Sequence, residues 1–545
     1  MLRSINIFNK VPSSAVYQPE IDRSAPQKQS FQAPIWTAPF AGLISALFAL
    51  SIATLIAVII NVETPLNAIG GEFIDHTPKW LKNFAIRIFA TNNKAALKTG
   101  MLLTVSCLAL LAGSIARRRR IAGASIIAGF GVVGAIISLL RPSQNAAALL
   151  PSLVGALAGC WLLTKLICVI NENSKPLETP TTSRAPLGWD RRRFLSTTGK
   201  VAIISTALAG TARVVSSKKI SQVRDAAPQS LPPIGNNTVL PTTKIPSATQ
   251  IFDQTPFVTP NKDFYRIDTA LSLPRVDINT WKLEIGGMVK TPLTLSYQDL
   301  LARPMVERTI TICCVSNEVG GPYIGNAIWQ GVLLADLLDE AGVDSRAEQI
   351  FNTSVDGWTC GFPVGAALDG RDAMIAIGMN GTALPLEHGY PVRLIVPGLY
   401  GYVSATKWLK SIDLTMWNQA EGYWIPLGWS RDAPIKTQSR IDVPRRDEKV
   451  VAGKIAIAGV AWAQQRGIEK VEVRIDAGEW KLATLALDLN IDTWRQWKYE
   501  SNLQPGEYKI QVRATDKTGA TQTQEVSRPD PDGATGYHTR TLKVI

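Results

Sequence analysis

Cysteine and histidine are scarce: six and three, respectively, in 545 residues. Cys107, Cys160 and Cys168 fall inside apolar runs, leaving Cys313, Cys314 and Cys360 for the rest of the chain. No spaced, even-numbered set exists for a disulfide framework, and no cysteine cluster suits an iron–sulfur centre. His76, His388 and His538 are too scattered to supply a bis-histidine haem site in the apolar segments. Acidic residues are also in deficit, 44 against 57 Lys and Arg, for a net charge of +13. Part of that excess sits at Arg117 to Arg120 and Arg191 to Arg193, beside apolar runs. This placement suits a membrane surface and argues against nucleic acid as partner.

The length predicts two or three folded units. Residues 1–215 carry the long uncharged runs and form the expected membrane region of four or five transmembrane helices. Ala41 to Ile60 is uncharged and long enough for about 30 Å of hydrocarbon. Thr99 to Ala116, Ile121 to Leu140 and Ala146 to Ile170 follow, the last interrupted only by Lys165. Gly155 and Gly159 are small enough to let two helices approach closely. Trp80, Phe84 and Ile88 recur at helical spacing, which fits either an interfacial helix or an ordinary loop helix. The positive-inside rule puts Arg117 to Arg120, the amino terminus and residues 171–193 in the cytoplasm. The segment 190–212 places Arg191 and Arg192 before Phe194, Leu195 and an apolar stretch, and resembles a bacterial twin-arginine export signal. It reads either as a cleavable h-region or, with Lys200 at an interface, as a fifth span. Residues 216–249, rich in Ser, Thr, Pro, Gln and Asn, read as an extended linker.

From 250 to 430 short β-patterned segments alternate with helical ones, predicting a mixed α+β domain. Trp281 to Ile285 and Val392 to Val396 are expected strands, and Leu333 to Ala341 an expected helix. The stretch T-I-T-I-C-C-V-S-N-E-V-G-G, 309–321, sets two cysteines side by side. Strand alternation turns their thiols to opposite faces, so neither an internal bridge nor a shared metal is favoured. Taken alone, the pair reads most simply as two small buried hydrophobes.

Five stretches together are similar to the sulfite oxidase family of molybdopterin enzymes. They are F-Y-R-I-D-T-A-L (264–271), T-I-C-C-V-S-N-E-V-G-G (311–321), W-Q-G-V-L-L (329–334), M-N-G-T-A-L-P-L-E-H-G-Y-P-V-R-L-I-V-P-G-L-Y-G (379–401) and T-K-W-L (406–409). The resemblance implies a Cys-ligated molybdenum-molybdopterin cofactor, with Cys314 as the metal's thiolate and Cys313 a structural neighbour. It also implies a turn after the strand that exposes Cys314. Ser316, Asn317, Tyr265, Arg266, His388, Arg393, Ser404 and Lys407 would bind the cofactor, with Asp356 a weaker candidate. Arg266, Lys407 and Tyr423 would share the catalytic pocket with Cys314, although core packing explains Tyr423 equally well. Glu318 and Val319 stand where animal and plant sulfite oxidases have arginines, and Asp268 where they have histidine. These departures weaken the case for sulfite as substrate.

Residues 431–545 alternate in period two at Lys454 to Ala463, Lys470 to Ile475 and Tyr508 to Ala514. That pattern predicts an antiparallel sandwich, and by resemblance an immunoglobulin-like dimerisation domain. The overall expectation is a multi-pass protein of the bacterial inner membrane with its catalytic domain on the extracytoplasmic side. It would transfer an oxygen atom and two electrons between the metal and a small oxyanion or sulfur compound. With no haem or iron–sulfur cluster expected, a separate carrier would exchange the electrons. Two alternatives stand beside it: a reductase of sulfoxide-type substrates, and an exported sandwich module for adhesion or ligand binding.

Overall fold

The computed structural model describes residues 33–89, 92–141, 144–172, 191–225, 230–234 and 255–545. The amino terminus, Asp190 and most of 216–249 therefore lie outside the described residues. Seven helices come first: α1 Thr37–Ile59, α2 Pro65–His76, α3 Lys79–Phe89, α4 Asn93–Arg118, α5 Arg120–Leu140, α6 Leu149–Glu172 and α7 Arg191–Asp225. Four helical stretches are long and apolar enough to cross a membrane: Thr37–Ile59, Asn93–Arg118, Arg120–Leu140 and Ala146–Asn171. They match the four runs anticipated from the sequence. Helix α3 carries Trp80, Phe84 and Ile88, all largely exposed.

Small residues set the helix contacts. A side chain at Gly42 would collide with the Ala109 carbonyl, and one at Gly113 with that of Ala38, so α1 and α4 touch backbone to backbone. A Cβ at Gly155 would lie 2.7 Å from Ala49 O, and one at Gly159 2.9 Å from Ala49 Cβ. Those two glycines thus seat α6 on α1, as their sequence positions suggest. Hydroxyls within the helices bond back one turn, as Ser45 does to Ala41 O at 2.8 Å and Ser114 to Leu110 O at 2.7 Å. Ser138, Ser152 and Ser205, by contrast, have buried hydroxyls without a hydrogen-bond partner.

Helix α7 differs from the sequence reading. It is one unbroken helix of 35 residues and continues through Ser216–Asp225, assigned above to an extended linker. Composition favoured a linker, but packing decides. Ile220 and Val223, three apart on one face, pack against the apolar cluster around Trp329, and Arg275 donates to Ser216 Oγ at 3.1 Å. The Trp36 and Phe194 rings meet at 6.1 Å near the start of α1, and Lys219 donates to Val58 O and Ile59 O at its end. Helix α7 therefore runs parallel to α1 along its length.

The α+β half holds one mixed sheet and one wholly antiparallel sheet. One has the order Leu293–Ser296, Lys282–Gly287, Leu409–Thr415, Gln349–Ser354, Thr359–Pro363, with a single parallel pairing between Lys282–Gly287 and Leu409–Thr415. The other runs Val306–Cys313, Ile324–Leu333, Met374–Met379, Thr382–Ala383, and Arg393–Ile395 pairs with Met374–Met379. The helix Leu334–Ala341 lies where its apolar spacing predicts.

Beyond residue 437 two further sheets of four and five strands face each other. Ile457, Val473, Trp497, Ile510 and Val512 fill the space between them. This sandwich is locked to the other half. Trp494 N–H donates to Thr311 Oγ1 at 2.8 Å, Thr311 N–H to Asp492 O at 2.9 Å, and Trp494 Nε1 to Phe257 O at 2.9 Å. Trp494 and Trp462 share the apolar core of the α+β half, whereas Trp497 belongs to the sandwich core.

Candidate active site

The strand Val306–Cys313 ends one residue before Cys314, and the chain then turns through Ser316 to Gly321. Cys314 N–H donates to Tyr323 O at 2.9 Å and Tyr323 N–H to Asn317 Oδ1 at 2.8 Å, which closes the turn. Gly320 has φ +76°, and a side chain there would run into the His538 ring. A conformation closed to most L residues and a sandwich wall thus meet at one glycine. Arg440 braces the same turn by donating to Gly321 O at 3.0 Å. The thiol is less open than the sequence reading anticipated. Cys314 is 8% exposed, and its Sγ lies 2.9 Å from Ser316 Oγ. Tyr265 and Tyr323, whose rings lie 6.5 Å apart, both neighbour this thiol.

His388 and Arg393 flank Gly389, whose φ is +114°. A Cβ there would stand 3.1 Å from both Arg393 Cβ and Lys407 Cα, so glycine lets the two cations' backbones close in. Arg393 is 4% exposed. Its guanidinium donates to His388 O at 3.0 Å and Ala405 O at 3.4 Å and lies 5.0 Å from the Trp329 ring centroid. Its Nε has no hydrogen-bond partner, and among the described residues no carboxylate pairs with it. Burial lowers its pKa to about 10. A buried cation without a counter-anion is costly unless something anionic is meant to lie against it.

Lys407 Nζ donates to Asp268 Oδ2 at 2.7 Å, Arg266 Nε to the same oxygen at 2.8 Å, and Lys94 Nζ of α4 to Oδ1 at 2.7 Å. Asp268 is held well below the usual carboxylate range because Lys407, Arg266 and Lys94 together outweigh its burial. Burial lowers Lys407 to about 8, with Asp268 pulling the other way. Burial raises the Cys314 thiol, while Ser316 and the Lys407 charge oppose that rise. Tyr265 is pushed up by burial and by its cysteine neighbours.

The structure thus brings Cys314, Ser316, Tyr265, Arg266, His388, Arg393 and Lys407 into one neighbourhood. Three other candidates are employed differently. The Ser404 hydroxyl is buried and bonded to the carbonyls of Leu399 and Tyr400, so it is not a free donor. Asp356 accepts from Trp358 N–H at 3.1 Å and lines a separate cleft. Tyr423 lines that cleft too, and its hydroxyl donates to Asp75 of α2 at 2.9 Å. The cleft, about 240 Å³, lies between the helical and α+β halves, with Glu63, Asp75 and Arg141 facing Thr269 to Arg275.

Burial holds two imidazoles neutral, lowering each from 6.5 to about 4. His388 Nε2 lies 2.8 Å from Asn261 O, and His538 Nδ1 accepts from Ile441 N–H at 2.8 Å. In the unfolded chain both take protons at higher pH, so the stability that they contribute is complete above pH 6.5 and lost as pH falls towards 4. Between pH 7 and pH 5 each ring should cost about 2 kcal/mol of stability. The thermal midpoint of the detergent-solubilised chain should therefore drop over that interval. His538→Asn, which keeps an acceptor for Ile441 N–H, should remove about half of the drop; an unchanged drop would contradict this account.

Residues 270–424 match the family described as oxidoreductase molybdopterin binding domain. Over 319 residues the chain is 30% identical to a sulfite oxidase of Gallus gallus, covering 50% of this chain and 69% of that protein. An uncharacterised oxidoreductase of Bacillus subtilis is 36% identical over 148 residues, 27% of this chain and 71% of that protein. The chain belongs to the sulfite oxidase family of molybdopterin-dependent oxidoreductases. It spans 55% of the mitochondrial sulfite oxidase of Homo sapiens, at 28% identity over 302 residues.

Membership in the sulfite oxidase family makes the chain an oxidoreductase and implies a molybdenum cofactor. The residues present fit such a group. A cysteine sulfur stands at the mouth of a turn, a soft donor suited to the metal once deprotonated. The unpaired, buried guanidinium of Arg393 suits the phosphate of a pterin, with its Nε and fork still able to donate. A molybdenum-pterin group held there supplies oxygen-atom transfer and two-electron exchange. Sequence reasoning missed Tyr323, Arg440 and Lys94, which lie outside the five stretches, and gave Trp329 of W-Q-G-V-L-L no part in the site; each acts through a long-range contact.

Proposed function

We propose that this protein is a membrane-anchored molybdopterin oxidoreductase in which Cys314 ligates the metal. The buried and unpaired Arg393, sharing a neighbourhood with Cys314, is the observation that carries the reading. In it Arg393, His388, Tyr265, Ser316 and the Asn317 turn hold the pterin and its phosphate. Arg266 and Lys407 give the pocket positive potential, and Tyr423 approaches from the cleft. A molybdenum-pterin group held by these residues would supply oxygen-atom transfer to or from a small sulfur compound or oxyanion, with two electrons moving opposite to the oxygen, and a separate carrier would exchange those electrons.

Anchoring is supported by the four long apolar helices and by the many large apolar side chains that they leave exposed, among them Leu103, Ile136, Leu140 and Leu157. Arg117 donates to Ala33 O and Pro34 O at one end of the bundle, while at the other Lys94 donates to Asp268 and Asp75 accepts from Tyr423. With the arginine end cytoplasmic, the catalytic half faces outward. The twin-arginine-like start of α7 agrees with that direction. Residues 431–545 would serve as the immunoglobulin-like dimerisation domain.

Glu318 is exposed and Val319 half-buried where sulfite-oxidising relatives carry arginine, which favours a substrate other than sulfite and keeps reduction of a sulfoxide-type group as a second reading. The purified full chain, from a molybdenum-replete host, should contain about one molybdenum per chain. Artificial electron donors and acceptors, tested with a panel of sulfur compounds and oxyanions, should identify substrate and direction. Metal-free protein would overturn the proposal.

A further inference from the structure

Among the described residues, one ion pair joins the two halves, Lys94–Asp268, and it ends beside the proposed site. Asp268, whose side chain is 5% exposed, is shared by Lys407, Arg266 and, from the first turns of α4, Lys94. Lys94 also donates to Ala270 O at 2.8 Å. One carboxylate faces three cations, so the cluster keeps a net charge of two positives beside the Cys314 turn. Without Lys94, Asp268 would draw more strongly on Lys407 and Arg266 and lower the positive charge that they present. A second link ties Tyr423 to Asp75 of α2, which Arg141 fixes by donating to the other carboxylate oxygen at 2.6 Å. Lys82 of α3 lies over the Tyr423 ring at 5.6 Å. This second link borders the cleft of about 240 Å³, one wall of which comes from the membrane half, and the first link ends on Asp268, next to Thr269 of its lining.

We propose that the active site is composite: the membrane half positions Lys407 through Lys94 and Asp268, and positions Tyr423 through Asp75. The helices are then a wall of the catalytic pocket as well as an anchor. This rests on the reading of Cys314 as metal ligand, which molybdenum content decides separately.

Lys98 supplies the control. It lies one turn beyond Lys94 on α4 and also bridges the halves, donating to Leu271 O at 3.0 Å, but it does not touch Asp268. In the full-length, detergent-solubilised protein, Lys94→Met should lower kcat/KM per molybdenum about ten- to a hundredfold, the usual effect of losing an outer partner of a metal site. Lys94→Arg should restore most of it, and Lys98→Met should stay within about twofold. Loss of molybdenum from Lys94→Met while Lys98→Met retains it would equally support the proposal. Equal losses of rate or of metal in the two methionine variants would overturn it, because simple docking of the halves would then explain both. For the second link, Asp75→Ala and Tyr423→Phe should be non-additive, the double variant falling no lower in kcat than Tyr423→Phe alone. Additive losses would remove Asp75 from the site.

Discussion

Cys314→Ser should abolish turnover while leaving the protein folded, and Cys313→Ala should do the reverse in milder form. The two residues are adjacent but differently placed. Cys313 is the last residue of its strand, 2% exposed, and packs in the core with Val315 and Tyr400. Cys314 lies beyond the strand end, its sulfur against Ser316 Oγ and within electrostatic reach of Lys407. Serine at 314 is nearly isosteric and keeps a hydrogen bond to Ser316, so the fold loses about 1 kcal/mol or less. It replaces a soft sulfur by a hard alkoxide precursor that stays protonated at neutral pH, which a metal preferring thiolate does not compensate. Because losing only an outer partner of a ligand costs about 10- to 100-fold, loss of the ligand itself should exceed about a hundredfold in kcat. Alanine at 313 removes a buried sulfur from a packed site and should cost about 1–3 kcal/mol of stability with turnover per molybdenum unchanged. Thermal unfolding, molybdenum content and steady-state rates on the three proteins check both halves of the prediction. A Cys314→Ser enzyme with near-normal turnover would exclude Cys314 as ligand.

Arg393→Met should produce a chain about as stable as the parent yet depleted of cofactor. Its burial opposes the charge and lowers its pKa to about 10, and its remaining bonds go to two carbonyls and an aromatic face. Methionine relieves the desolvation cost and leaves His388 O and Ala405 O short of a donor, two effects of about 1–3 kcal/mol each that oppose one another. Net stability of the metal-free chain should therefore change by less than about 2 kcal/mol. Two charge-assisted bonds to a phosphate are worth about 3–6 kcal/mol, or roughly 100- to 10,000-fold in affinity. Pterin and molybdenum per chain should fall by at least about tenfold at matched expression. Arg393→Lys should lie between, because lysine keeps the charge but loses the planar fork. A variant that unfolds while retaining its cofactor would show the arginine to be a structural element only.

Much of this was legible from residue order. The four long helices follow from runs free of charge, and the strands at Lys282–Gly287 and Arg393–Ile395 from short apolar segments bounded by turn residues. Cys314, His388 and Arg393 were reached through the resemblance of their stretches to the family; taken alone, the adjacent cysteines read as two small buried hydrophobes. What the order of residues hid was everything fixed by contact at a distance. The last ten residues of α7 look like linker by composition and are helical because Ile220 and Val223 find an apolar surface. Ser404 falls at a plausible position, yet its hydroxyl is consumed by the carbonyls of its own turn. Tyr423 has Trp424 beside its ring and the Lys82 ammonium over it, but its hydroxyl partner, Asp75, is 348 residues away in sequence.

The lock between the sandwich and the strand leading to Cys314 has a consequence for biogenesis. Thr311 receives its backbone and side-chain partners from Asp492 and Trp494, and the turn at Gly320 rests on Arg440 and His538. A nascent chain that has cleared the ribosome only as far as residue 430 lacks all four supports, so the sulfur has no settled direction while synthesis is under way. Loading of the metal must wait until translation has ended, and a truncation that spares every pocket residue would still leave the enzyme unable to mature.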